Sequence, residues 1–600
     1  MKKGFTLVEV LVGSAVFLTV AISAYGAYAG IFKLANLNQT RMLAVGLADE
    51  QFEMIRNMSY SNIGIMSGVP SGLLPASTTL TRGGVAFNVG YTVRDVDLPF
   101  DGVFGSSTNN DTAPADNKFV QISISCPLCQ NFNTINVSGQ VAPKNLENST
   151  DNGALFIQTI DANGNPVPDA SIHVAYTVTT SPIIIDDTTN NSGVLELVDI
   201  PPAVQSYTIT ANKFGYSSDQ TYNASSTNPT PYKLPATVAA QQLTQVSFSI
   251  DKLSLFNISS MSPTCVAVPN FHFSMTGSKL IGPNIPKYSK SLVTNGAGSL
   301  ALNNMEWDSY TVTPTDSSYD LAGINPLNPI SLSPGSTQSI QLIAVPKNSD
   351  TLLVTVKDNA TGLPLSDATV EVTGPSGYDQ TLLTGQGYFN QTDWSHGATQ
   401  SGLFSDLSAY ATDNGLVDTQ TATSTGNVVL HWNPIGDPYN TNATGTLDSS
   451  IFDTGTTSNF SVISWNPGNQ SLLTGLNSVK LQFASSPSST PSSWNFLGPN
   501  GTADTYYTTP NSTISSVNNS NEYARYRVYL TTQTATATPI VSNISTTYTS
   551  SCIPPGQVIF SGLQANGTYT INISAPGYTS ATVTASTTSN WQEVQVPLQM

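Results

Sequence analysis

The chain has 600 residues, of which 10% are charged, and a formal net charge of −18. That balance excludes a nucleic-acid partner, which needs a basic stripe to meet phosphates. Blocks of alternating Val, Ile and Tyr set among Ser, Thr, Asn and Gly exclude wholesale disorder and predict many short strands joined by turns, in about four to six domains.

The first sixty residues read differently from the rest. Residues 10–32 carry no charge, which at about 1.5 Å per residue is roughly 35 Å of helix, enough for a hydrocarbon core of about 30 Å. Lys2 and Lys3 place the amino end in the cytoplasm, giving a single-pass protein of the cytoplasmic membrane. Helical spacing continues beyond the apolar run: Leu43, Leu47, Met54 and Met58 mark one stripe, with Ala44, Ala48 and Ile55 beside it. One helix is therefore expected from Phe5 to about Met58.

Glu9 is the only charge between Lys3 and Lys33. A carboxylate in an apolar medium is costly unless paired. The segment KKGFTLVE resembles the type IV prepilin family in its short basic leader, its Gly, an aromatic first mature residue and an acid close behind. The resemblance covers residues 1 to about 58. It implies a leader of residues 1–4, cleavage by a prepilin peptidase between Gly4 and Phe5, and N-methylation of Phe5. It also implies assembly with other pilin subunits through the helix (5–60), Glu9 meeting the terminal amine of a neighbour. Ala27-Tyr28-Ala29 also fits the small-x-small pattern of ordinary signal peptidase, which would discard the helix. An uncleaved anchor is the third reading.

Residues 61–148 resemble the β head of a pilin, with strand-like runs at 85–93 and 118–126. The loop between them carries Asp95, Asp97, Asp101, Asp111 and Asp116, a conceivable calcium site whose spacing does not match an EF-hand. Cys126 and Cys129, in CPLC, are expected to form a local disulfide.

Internal repeats come next along the chain. DANGNPVPDASIHV (161–174) matches DNATGLPLSDATVEV (358–372), and two later stretches share a Tyr-Thr-Ile strand followed by Gly-Tyr, with a weaker relative between them. These resemble carboxypeptidase-regulatory-like, immunoglobulin-like β-sandwiches and predict modules at 149–251, 252–348, and 349–391 plus 550–600. The halves of the last are too far apart for a loop, so a separate domain, 392–549, is inserted. Its alternation and aromatic content resemble a jelly-roll or lectin-like sandwich. Cys552 re-enters near the junction with the preceding module, which makes Cys265–Cys552 a candidate interdomain disulfide.

Trp494, Tyr506 and Tyr507 are candidates for stacking on a sugar face. Some adhesin sandwiches join their first and last strands by a Lys–Asn isopeptide; here WQEVQVPLQM (591–600) has no Asn or Asp, so Lys357 reads as a solvated strand lysine. No paired carboxylates, histidine cluster or nucleophile elbow predicts catalysis, and no cofactor is expected. The expectation is a mainly β, multidomain, non-enzymatic subunit of a type IV pilus-like filament, minor or at the tip, exposed outside the cell for adhesion. Two alternatives stand beside it: a non-polymerising anchored adhesin that binds a surface glycan or a host or neighbour cell through the insert, and a secretion-system pseudopilin.

Overall fold

The computed structural model describes residues 7–99, 102–104, 111, 113–129, 131–143, 151–176, 182–392, 394, 410–420, 425–435 and 438–600. The chain is mainly β after one long helix and falls into two units, residues 1–253 with 280–286, and residues 254–279 with 287–600.

The helix of the first unit, Leu7–Arg56, runs for 50 residues without a Pro to break it. Its two halves meet different surroundings. Leu11, Phe17, Ile22, Tyr25, Ile31 and Leu34 are exposed, whereas Ala44, Leu47, Ala48, Phe52 and Ile55 are buried. The second set recurs at three- and four-residue spacing and forms one face. Met54, expected on that stripe, is 44% exposed. It stands about 100° round the helix from Ile55, past the edge of the buried arc.

That face packs on an antiparallel sheet with strands Ser77–Arg82, Val85–Val96, Asn117–Ser125 and Ile135–Val141 in spatial order. Alternate residues Phe87, Val89, Tyr91, Val120, Ile122 and Ile124 point into the shared core, as a two-residue period requires. Gly139 makes the approach possible, because a Cβ there would lie 2.8 Å from the Phe52 ring.

The first sandwich sets Gly153–Ile160, Val194–Ile200 and Leu243–Ser249 against a second sheet built on Ser171–Tyr176, Ile183–Thr188 and Ala203–Asn212. Its last strand, Leu243–Ser249, runs parallel to its first. The same pairing recurs in the second unit. Thr337–Pro346 lies parallel to Ser254–Met261, and Trp591–Leu598 lies parallel to Asp350–Asp358. The repeats also share a turn, with Asp169, Asn270 and Asp367 all at positive φ. A buried tyrosine marks each: Tyr207 donates to Pro201 O at 2.6 Å, Tyr310 donates to Glu306 O at 2.7 Å, and the Tyr569 hydroxyl accepts from Gln564 N at 2.7 Å. Each hydroxyl thus ties its strand to backbone just upstream.

In the last sandwich, strands Thr369–Gly374 and Tyr378–Leu383 precede the insertion, and Gln557–Leu563, Thr568–Ser574, Ala581–Ser586 and Trp591–Leu598 come after it. The insertion closes on itself by pairing Gly387–Gln391 with Asn543–Thr549, so its first strand starts before residue 392. An eight-stranded and a three-stranded sheet enclose a core that includes Trp394, Phe452, Trp465, Phe483, Tyr507 and Tyr526.

Candidate functional site

Gly4 and Phe5 lie outside the described residues, and Glu9 lies within the helix with its side chain outside them. Further along the helix, the Ser14, Thr19 and Ser23 hydroxyls donate to Leu11 O, Val16 O and Thr19 O at 2.8–2.9 Å. These hydroxyls are therefore satisfied within the helix, which is what a lipid-facing segment requires. Among the described residues this is the one helix long and apolar enough to cross a membrane.

Four of the five loop aspartates, Asp95, Asp97, Asp111 and Asp116, lie among the described residues. Asp95 is 5% exposed and sits near Lys118, whose Nζ donates to Tyr60 O at 3.0 Å and Ile63 O at 2.6 Å. Burial pushes the Asp95 carboxyl up to about 7, opposed by Lys118 and reinforced by Asp199. Burial likewise lowers Lys118. Asp97 accepts from Phe104 N, Asp111 from Ala113 N and Asp116 from Leu98 N, while Asp101 lies outside the described residues. Among the described residues no group of three His, Cys, Asp or Glu side chains is arranged to hold a metal ion.

The three aromatics of the insert separate. Tyr507 is 1% exposed in the core, its hydroxyl accepting from Ser515 N at 3.0 Å, so it cannot present a face to a sugar. Tyr506 packs edge-on to Tyr529 with 5.0 Å between ring centroids, and the Arg525 guanidinium lies 5.2 Å from the Trp494 ring. The core tryptophan is instead Trp394, its Nε1 donating to Tyr526 Oη at 3.2 Å. Cys126 is bonded to Cys129, and Cys265 to Cys552.

A polar cluster that the sequence did not single out lies on the outer face of the last sandwich, against strand Tyr319–Asn325 and the turn after it. Thr355 Oγ1 donates to Glu593 Oε1 at 2.9 Å, Gln595 Nε2 donates to the same oxygen at 3.0 Å, and Lys357 Nζ donates to Gln595 Oε1 at 3.0 Å. Lys357 is therefore a half-buried partner of a carboxamide rather than a solvated lysine. The second sandwich closes the cluster: Asn328 Nδ2 donates to Glu593 Oε2 at 3.1 Å, and Asn328 O accepts from Gln595 Nε2 at 2.8 Å. Nearby, Trp591 Nε1 donates to Leu321 O, and the Gln557 carboxamide binds both the N–H and the C=O of Ile324.

Comparison with known proteins locates one motif. Residues 1–25 match the prokaryotic N-terminal methylation motif. No curated protein matches the chain. Solved structures with similarity include the Bacillus anthracis TIE protein (12% identity, 52% of this chain and 67% of that one, TM-score 0.15). They also include a streptococcal ancillary pilin (9%, 37% and 75%, TM-score 0.16) and the minor pilin of Streptococcus agalactiae (13%, 32% and 97%, TM-score 0.17). The methylation motif and the apolar half-helix give the chain a pilin-like, prepilin-type amino-terminal segment, long and apolar enough to cross a membrane, ahead of a β-rich body.

Proposed function

We propose that the chain is a minor or tip subunit of a type IV pilus-like filament, cut by prepilin peptidase between Gly4 and Phe5 and methylated on Phe5. The carrying observation is the division of the helix. The half beyond Leu43 is held by the protein's own sheet, and the half from Leu11 to Leu34 is covered by no other part of the described residues. Such a half is stable in lipid, and on leaving lipid it needs the helices of other subunits. In this reading Glu9 makes the transfer selective. An Asp or Lys at the centre of a membrane helix costs about 2.5–3.5 kcal/mol on insertion scales, and the Phe5 amine of a neighbouring subunit offsets that cost only in the assembly. The β-modules are what the filament displays, in a role of adhesion.

Glu9→Ala is expected to leave cleavage and membrane insertion intact and to abolish recovery of the protein in the sheared filament fraction. Incorporation at the wild-type level would remove the pairing role. Mass spectrometry of the mature amino terminus tests the processing separately: methylated Phe5 supports it, and a start at Gly30 or at Met1 overturns it.

A further inference from the structure

The cluster on the last sandwich has the parts of an acyl-transfer site. Thr355 and Gln595 are register partners on the parallel first and last strands, so a hydroxyl and a carboxamide stand opposite each other. A single carboxylate oxygen, Glu593 Oε1, accepts from both the hydroxyl and the carboxamide nitrogen, placing one base between a nucleophile and a leaving group. The ammonium of Lys357 sits on the carbonyl oxygen of the same carboxamide, where negative charge develops during attack. Asn328 fixes the second oxygen of Glu593 and the carboxamide nitrogen. Thr355 is fully buried, which shields the nucleophile from water, while Glu593 and Gln595 are half-buried.

We propose that the Thr355 hydroxyl and the Gln595 carboxamide condense spontaneously to an intramolecular ester joining the first and last strands of the last sandwich. Thr355 Oγ1 attacks Gln595 Cδ while Glu593 takes the hydroxyl proton, and Lys357 Nζ stabilises the oxyanion on Oε1. Collapse breaks the Cδ–Nε2 bond, and Glu593 returns the proton to the nitrogen, which leaves as ammonia. No oxidant or cofactor enters the balance. Loss of ammonia to solvent makes the step irreversible.

The second sandwich is an internal control. Ser259 stands opposite Gln341 in the same register, but Ser339 replaces the acid, and Met261 replaces the amine. It has the nucleophile and the carboxamide without the base or the oxyanion partner, so it stays unlinked.

The test is a tryptic map of the full-length protein taken from cell envelopes and reduced. Expected is the peptide 348–357 joined to the peptide 528–600, lighter than their sum by one ammonia and separated by hydroxylamine. The peptides holding Ser259 and Gln341 are expected unlinked. Thr355→Val and Glu593→Gln should each abolish the link; if either variant fails to fold, the wild-type map still decides. Unlinked peptides in the wild type overturn the proposal. So does a hydroxylamine-resistant link with no cleavage after Lys357, which would place an amide at the lysine.

Discussion

Two seams hold parts of this protein together, and they are built on opposite principles. In the first unit the helix meets the head sheet through Ala44, Leu47, Ala48, Phe52 and Ile55, with Gly139 cut back to admit the Phe52 ring. In the second unit the second and last sandwiches meet through Gln557, Asn328, Glu593, Gln595 and Trp591, with Gly323 cut back because a Cβ there would lie 2.2 Å from Pro554. The first seam draws its stability from apolar area and tolerates small shifts of one surface over the other. The second derives direction and register from hydrogen bonds, each of which leaves a buried group unsatisfied if its partner is lost. Removing an apolar side chain should therefore cost more in the head than removing a polar one costs in the sandwich seam, and only the polar seam should lose its alignment.

The largest expected effect is Phe52→Ala. It empties the space over Gly139 and should destabilise the head by about 3–5 kcal/mol, seen as a lower urea midpoint for proteolysis of that region. A cost below about 1 kcal/mol would mean that Gly139 and its neighbours collapse into the space and that the seam is not closely packed.

Next is Gln557→Ala. It strands the N–H and C=O of Ile324 and should cost about 1–3 kcal/mol, with hydrogen exchange rising along Tyr319–Asn325 while the head is unchanged. Unaltered exchange there would show that the two sandwiches do not depend on this contact for their alignment.

A third prediction is a pH dependence in the first unit. The Asp95 carboxyl, ordinarily near 4, is raised to about 7 by burial. The native state thus holds its proton more tightly than the unfolded chain does. The stability this group supplies is complete below about pH 4 and is lost as pH rises through about 7. Thermal midpoints of the wild type should fall across that window relative to Asp95→Asn; a constant difference would remove Asp95 as the cause.

The two seams are not equally legible in the sequence. The helix face comes from a 3.6-residue period, which local sequence carries, and only Met54 at its margin departs from it. The sandwiches are legible through repeats, because one turn and one buried tyrosine recur at matching places. The polar seam depends instead on the register of strands far apart in the chain, Thr355 against Gln595, and on a neighbouring module that supplies Asn328. An isopeptide pattern that requires Asn or Asp on the final strand does not register Gln595, although its longer side chain carries the same carboxamide. The insert shows a different limit. Tyr506 and Tyr507 are adjacent and point to opposite sides of the chain, and composition cannot say which of them enters the core.

The parallel pairing of first and last strands bears on the order in which the molecule is made. Asp350–Asp358 precedes the insertion but keeps one long edge unpaired until Trp591–Leu598 arrives, after the entire insertion has been synthesised. The inserted domain closes on its own strands, with Ile553 just beyond them packed against its core. A truncated or misthreaded product would thus carry a finished insert on a host with an open edge, a template for aggregation or a mark for proteases. Completion of the last sandwich therefore waits on its closing strand, whose Trp591 pairs with Thr351, 240 residues earlier.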